Sequence, residues 1–234
     1  RTLRFFGASE SAVARALAAA GGDGSGVEAT ICARDFGIHV DLVVEPGAEE
    51  AAAELEARLV APLERQLFAR DERPVEELVL ALCRARGLTL ATAESCTGGM
   101  VATRLTSVPG SSAAFVGGIV AYADAVKRSE LGVPEEVLAR HGAVSAEAAA
   151  AMSRGARARL GADVAVSVTG VAGPGGGTPE KPVGLVYFHA SAPDGERAAD
   201  FSLRSDRESI RRRSAVTALH LVRRLLTQDG HRAV

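Results

Sequence analysis

Ala93-Glu94-Ser95-Cys96-Thr97-Gly98-Gly99 puts two hydroxyls and a thiol at a glycine-rich bend directly after an apolar run. That run, Leu88-Thr89-Leu90-Ala91-Thr92-Ala93, reads as a short strand. The two glycines let the backbone turn tightly into a helix whose first N–H groups have no partner within it. A nucleophile beside free N–H donors is the minimum for acyl transfer, because the donors hold the oxyanion that develops during attack. The same residues also fit a plainer role, with Ser95 or Thr97 capping the next helix. Taken alone, the bend leaves both readings open.

Three further segments carry polar residues at strand ends or helix starts, where open α/β sheets build their sites. In Tyr122-Ala123-Asp124-Ala125-Val126-Lys127 a strand ends at a phenol, and an amine follows little more than a helical turn later. Thr169 leads into the loop Gly170-Val171-Ala172-Gly173-Pro174-Gly175-Gly176-Gly177. Arg207 and Arg211, spaced i, i+4, share one face of the last helix. Each has a structural alternative. Lys127 fits a solvated surface lysine, and the Tyr122 hydroxyl fits a backbone partner. The loop around Gly173 lacks the Lys-Ser/Thr ending of a phosphate-binding P-loop. Arg207 and Arg211 have Asp206 and Glu208 as ready surface partners.

The elements that must position these residues fall into two regions. Residues 1–73 read as a small α+β module: a helix Ser9 to Ala20, strands Val27 to Cys32 and Ile38 to Val44, and a helical stretch from about Ala48 to Arg70 broken near Pro62. Asp71-Glu72-Arg73-Pro74 is the linker. Residues 74–234 alternate helix and strand, the pattern of a layered α/β domain. Its helices are predicted over Val75 to Arg86, from about Gly98 to Ser107, around Lys127, from Pro134, from Ser145 to Leu160, and from the capping box Ser205-Asp206-Arg207-Glu208 to Leu226. Its strands are predicted at 88–93, Ala114 to Tyr122, Asp163 to Thr169, and a hairpin, Val183 to Ala190 and Arg197 to Leu203, around Pro193-Asp194-Gly195.

Composition narrows the function classes. The 234 residues are 47% hydrophobic and 24% charged, ordinary for a globular protein. A net charge of -2 with 4% aromatics argues against a nucleic-acid partner. Gly21-Gly22-Asp23-Gly24 matches a nucleic-acid-binding loop in letters only, because Asp23 repels phosphate. The odd, scattered set Cys32, Cys83 and Cys96 fits a reducing, cytoplasmic setting without a zinc site. The histidines at 39, 141, 189, 220 and 231 show no ligand spacing, so no metal is expected. No run approaches the ~20 apolar residues of a membrane helix. The chain opens Arg1-Thr2-Leu3 without an initiator Met, the start expected of a piece of a longer protein.

The order of motifs adds a resemblance. Ala-Glu-Ser-Cys-Thr-Gly-Gly at 93–99 is followed by Pro109-Gly110-Ser111-Ser112, Tyr122 with Lys127, and His141-Gly142-Ala143-Val144-Ser145. Thr169-Gly170-Val171-Ala172-Gly173-Pro174 and Lys181-Pro182-Val183-Gly184 complete the series. Over about 74–226 the chain resembles the nicotinamide-nucleotide amidohydrolase domain that ends CinA-type competence/damage-inducible proteins. Residues 1–73 resemble the KH-like middle domain of the longer members. The resemblance implies an α/β/α fold and hydrolysis of nicotinamide mononucleotide to nicotinic acid mononucleotide and ammonia, with no cofactor or metal. It implies a Ser95/Lys127 pair with Tyr122 close by, passing through an acyl-serine. It places Thr169 and Arg207 on the substrate and implies a homodimer; beside it, Gly173 and Arg211 are read as further substrate contacts, and the backbone N–H groups near Thr97, Gly98 and Gly99 as the candidate oxyanion donors. Because lysine's free pKa is ~10.4, such a base must be made neutral by burial or a neighbouring cation. One departure stands out: many relatives have Ser-Asn after the tyrosine where this chain has Ala123-Asp124. That departure keeps a non-catalytic, dimerising or partner-binding role in view, and Cys96 stands as the rival nucleophile.

Overall fold

In the computed structural model, which describes residues 1–227, Ile38, Val40 and Leu42 point to one side of a strand and seed the core of the first region. His231 lies outside the described residues. The chain divides into two units, Arg1–Pro74 and Val75–Val234.

The first unit is a four-stranded antiparallel sheet in the order β2-β3-β1-β4, with two helices. Its elements are β1 (Thr2–Phe5), α1 (Glu10–Ala20), β2 (Val27–Arg34), β3 (Gly37–Val44), α2 (Glu49–Val60) and β4 (Leu67–Ala69). Leu3 and Phe5 of β1 join the β3 residues against Val13 and Leu17 of α1 and Leu55 and Leu59 of α2. Ser9 caps α1, its hydroxyl accepting the Ala12 N–H at 3.2 Å. Two predictions change here. The helix expected to reach Arg70 ends at Val60, because Pro62 sits in a short 3-10 turn, Ala61–Leu63, and pairing with β1 draws 67–69 into a strand. β1 itself escaped prediction, since four residues are too few to display a period. Asp23 serves its own turn, its carboxylate accepting the Ala29 N–H at 2.7 Å.

The second unit is a three-layer α/β/α arrangement around a five-stranded sheet, β6-β5-β7-β8-β9. Its strands are β5 (Leu90–Glu94), β6 (Phe115–Val120), β7 (Val164–Gly170), β8 (Leu185–Ala192) and β9 (Gly195–Ser202). Its helices are α3 (Val75–Ala85), α4 (Met100–Thr106), α5 (Asp124–Leu131), α6 (Glu135–His141), α7 (Ala146–Leu160) and α8 (Arg207–Leu226). β5, β6 and β7 run parallel, whereas β8 and β9 turn back antiparallel. Helices α3, α4 and α8 pack together on one face, and α5, α6 and α7 on the other.

Central β5 is buried on both faces, as parallel strands between helix layers must be. Ala91 and Ala93 pack with Met152 and Ala156 of α7, while Glu94 turns to α4. Gly155 of α7 has a positional reason: a Cβ there would stand 1.8 Å from the Leu131 carbonyl oxygen. Only a bare backbone lets the end of α5 press on α7, and α5 carries Lys127. The last helix is capped by Asp206 rather than Ser205, because the helix begins at Arg207 and so places the Asp206 carboxylate on the Ser209 N–H at 2.9 Å.

Candidate active site

Three neighbouring parallel strands end at one level. Glu94 pairs with Val120 of β6 and with Val168 of β7. The Ser95 N–H donates to the Val168 carbonyl at 2.9 Å, and the Ala121 N–H donates to the Glu94 carbonyl at 2.8 Å. Ser95, Tyr122 and Thr169 therefore leave the sheet side by side. The connections after β5 and β6 pass over opposite faces, through α4 and through α5 to α7. A crevice outside the carboxyl ends of such strands is where open α/β sheets bind ligands.

The bend after Ser95 is fastened by Glu94, which sequence reasoning missed. Its carboxylate is buried and accepts the N–H groups of Gly99 at 2.9 Å, Val101 at 3.1 Å and Ala102 at 2.9 Å. These are the amides that a helix start leaves without partners. Two positive-φ glycines, Gly98 at 61° and Gly99 at 98°, make the bend possible.

This arrangement corrects the expected oxyanion donors. The Gly98 amide donates to the Ser95 carbonyl at 3.1 Å, and the Gly99 amide belongs to Glu94. Among the described residues the Thr97 amide has no partner, and neither does the Thr97 hydroxyl, which is fully buried. Leaving a buried donor unmade costs about 1–3 kcal/mol.

Lys127 is the fourth residue of α5, and it is buried, with 1% of its surface exposed. Its amine donates to the Tyr122 carbonyl at 3.0 Å and lies 3.4 Å from an Asp124 carboxylate oxygen. The surface reading of this lysine is therefore set aside. Tyr122 meets the amine through its backbone and not its phenol. Its side chain is 60% exposed, and its hydroxyl accepts from Arg207 at 3.1 Å. That geometry does not bring the Tyr122 hydroxyl to the Lys127 amine. Ser95 is 8% exposed, and among the described residues its hydroxyl has no hydrogen-bond partner.

The two arginines separate. Arg207 is exposed and bridges the Gly173 carbonyl at 2.6 Å and the Tyr122 hydroxyl, tying the glycine loop to the end of β6. Arg211 turns inward: its guanidinium donates to the carbonyls of Cys96 at 3.1 Å and Thr97 at 3.0 Å and also reaches Glu208. A guanidinium so engaged clamps the loop to α8. Thr169 is buried and donates to the Ala143 carbonyl at 2.7 Å. At Gly173, where φ is +77°, a Cβ would stand 2.5 Å from Val183, so the loop closes only over glycine.

Cys96 is buried next to Ser95, and desolvation pushes its thiol up to about 12. A thiol held protonated at neutral pH is a poor nucleophile. All three cysteines are free. Among the described residues no group of three or more His, Cys, Asp or Glu side chains could hold a metal, and no helix is long and apolar enough to cross a membrane.

Residues 72–226 match the family model of the CinA C-terminal domain. A CinA-like protein of Citrifermentans bemidjiense is 46% identical over 229 residues, which make up 96% of this chain and 54% of that protein. The chain spans about half the length of the curated relatives it matches. Among solved structures, a competence/damage inducible protein from Agrobacterium tumefaciens is 40% identical with a TM-score of 0.61, covering 70% of this chain and 100% of its own. A CinA superfamily protein from Klebsiella pneumoniae is 33% identical with a TM-score of 0.63, covering 67% of this chain and 99% of its own.

Proposed function

The chain belongs to the CinA C-terminal domain family, and from that premise we propose that its second unit hydrolyses the carboxamide of nicotinamide mononucleotide, releasing ammonia and nicotinic acid mononucleotide. The observation that carries this reading is the buried Lys127 amine, anchored to the end of β6, the strand beside the one that delivers Ser95. An amide is a poor electrophile, so a site for it needs an activated nucleophile and a stabilised oxyanion.

In the proposed reaction the Ser95 Oγ attacks the carboxamide carbon while the neutral Lys127 amine takes the hydroxyl proton. A neutral amine has two N–H bonds and one lone pair. The Tyr122 carbonyl and the Asp124 carboxylate are positioned for the two N–H bonds, which leaves the lone pair for Ser95. As the tetrahedral species collapses, its C–N bond breaks and Lys127 returns the proton to the departing ammonia. Water then cleaves the acyl-serine, with Lys127 again the base. Arg207, exposed at the rim, takes the 5′-phosphate through charge-assisted hydrogen bonds. Thr169 and the Gly173 loop line the nucleotide side. The reading needs no cofactor and carries a homodimer in the cytoplasm.

The test is ammonia release by the purified protein from nicotinamide mononucleotide, with free nicotinamide and the intact dinucleotide as comparisons. Ser95→Ala and Lys127→Met should each lower kcat by about 10³-fold or more, while Cys96→Ala stays active. Loss in Cys96→Ala with Ser95→Ala spared would reverse the assignment. Arg207→Ala should raise KM for the mononucleotide more than for the riboside, which lacks the phosphate.

Asp124 favours the other reading, a non-catalytic partner-binding role. Its carboxylate stands within ion-pair distance of the Lys127 amine, and an ion pair there would leave the amine a donor only. Asp124→Asn separates the two readings: the amidase reading keeps turnover in the wild type, whereas the partner-binding reading has none until Asp124 is replaced.

A further inference from the structure

The Cys96–Thr97 peptide is held from one side. Arg211 of α8 reaches the Cys96 carbonyl through Nε at 3.1 Å and the Thr97 carbonyl through its terminal nitrogen at 3.0 Å. The approach is close: a Cβ on Gly98 would stand 3.3 Å from that terminal nitrogen. In a trans peptide the carbonyl and the N–H of one plane point in opposite directions, and this peptide is trans. With the Cys96 carbonyl turned to Arg211 of α8, the Thr97 N–H points away from that guanidinium. Of the other amides of the bend, that of Gly98 goes to the Ser95 carbonyl and that of Gly99 to Glu94, while the Cys96 amide, like that of Thr97, has no partner among the described residues. Thr97 is fully buried, and among the described residues its hydroxyl has no partner.

We infer that Thr97 supplies the oxyanion donors, its amide and its hydroxyl, and that Arg211 is the positioning residue that aims them. The inference rests on the amidase reading of Ser95 and sharpens it to one residue among the candidate donors. Arg211 does not touch substrate. It acts by pinning two carbonyls, a task suited to the rigid fork of a guanidinium and poorly met by an ammonium point charge. Glu94 fixes the far end of the same bend, so the segment between the two anchors has little freedom to turn its peptide planes.

The experiment measures ammonia release over a range of concentrations from nicotinamide mononucleotide and from nicotinamide riboside, which lacks the phosphate. The variants are Arg211→Met, Arg211→Lys, Thr97→Val and Thr97→Ser, each checked for folding by circular dichroism. Arg211→Met and Thr97→Val should lower kcat by about 10²-fold on both substrates with KM little changed. Thr97→Ser should recover most of the rate, and Arg211→Lys only part. If Arg211→Met fails to fold, Thr97→Val decides the matter, because valine keeps the shape and removes only the hydroxyl. A KM increase confined to the phosphate-bearing substrate would make Arg211 a phosphate ligand and overturn the positioning role. An active wild type whose Arg211→Met and Thr97→Val variants keep its kcat sinks this inference alone. A wild type that releases no ammonia from either substrate sinks the amidase reading and takes this inference with it.

Discussion

The two units bury polar groups to opposite ends. In the first, Arg4 and His39 lie inside the sheet and answer one another at 3.2 Å, and Arg4 also donates to the carbonyls of Glu72 and Arg73. Among the described residues of that unit, no buried side-chain nitrogen or oxygen lacks a partner. The second unit keeps a buried, unpartnered hydroxyl on Thr97, beside a serine whose own hydroxyl is unbound. A satisfied interior stabilises a fold, and an unsatisfied one that opens on a strand end costs stability while holding groups ready for a ligand.

The sharpest way to break this contrast is to remove one buried polar anchor from each unit. Glu94→Ala leaves three amides without an acceptor, that of Val101 buried and those of Gly99 and Ala102 partly so. We expect a loss of about 3 kcal/mol in urea unfolding and a fall of about 10²-fold in ammonia release. Arg4→Met in the first unit should cost about 1–3 kcal/mol and leave ammonia release within about twofold. Equal losses of activity in the two variants would end the division of labour.

Acidification comes next in size and tests both units at once. Burial is the main cause holding His39 and His189 below the ordinary histidine value, with Arg4 adding to it at His39 and Glu196 opposing it at His189. A base whose pKa is lowered by folding binds protons more readily when unfolded. The stability each contributes is therefore complete above about pH 6.5 and is lost as pH falls through the folded value. Urea titrations at about pH 7.5 and 5.5 should show this loss, with His39→Gln and His189→Gln each flattening part of it. Stability that grows over the same acid shift would contradict the assignment.

The smallest effect sharpens the contrast from the surface. The pairs Arg58–Glu54 in the first unit and Arg154–Glu196 in the second are largely exposed. Removing either arginine should change stability by only a few tenths of a kcal/mol, and less in high salt. A larger loss at Arg154 would show that Glu196 matters chiefly through buried His189.

Much of this architecture was legible in advance. Ser145 and the alanine-rich run to Leu160 gave α7, and the run Asp163 to Thr169 gave, one residue displaced, the strand Val164–Gly170 that carries Thr169. What escaped detection depends on distant partners. β4 follows from pairing with β1, and neither is long enough to show a period. Glu94 stood in the bend motif with no role of its own, and carboxylates are rarely buried. Its three amide partners come within reach only when α4 folds back along the strand. The spacing of Arg207 and Arg211 correctly put them on one face, yet spacing alone gave no hint that one faces solvent and the other the loop.

By itself the sequence determined the local events: most helices and the longer strands, where glycines permit a turn, and that a serine and a lysine follow two successive strands of the second unit. Such events depend on residues a few positions apart, whose propensities and periods are written in order along the chain. Only the tertiary structure decided that Lys127 is buried, that the Tyr122 phenol meets Arg207, and that the Thr97 hydroxyl is left without a partner while Glu94 takes the Gly99 amide. Those outcomes depend on which carbonyl, carboxylate or guanidinium arrives from elsewhere in the chain. A hydrogen bond exists only once both of its ends are in place.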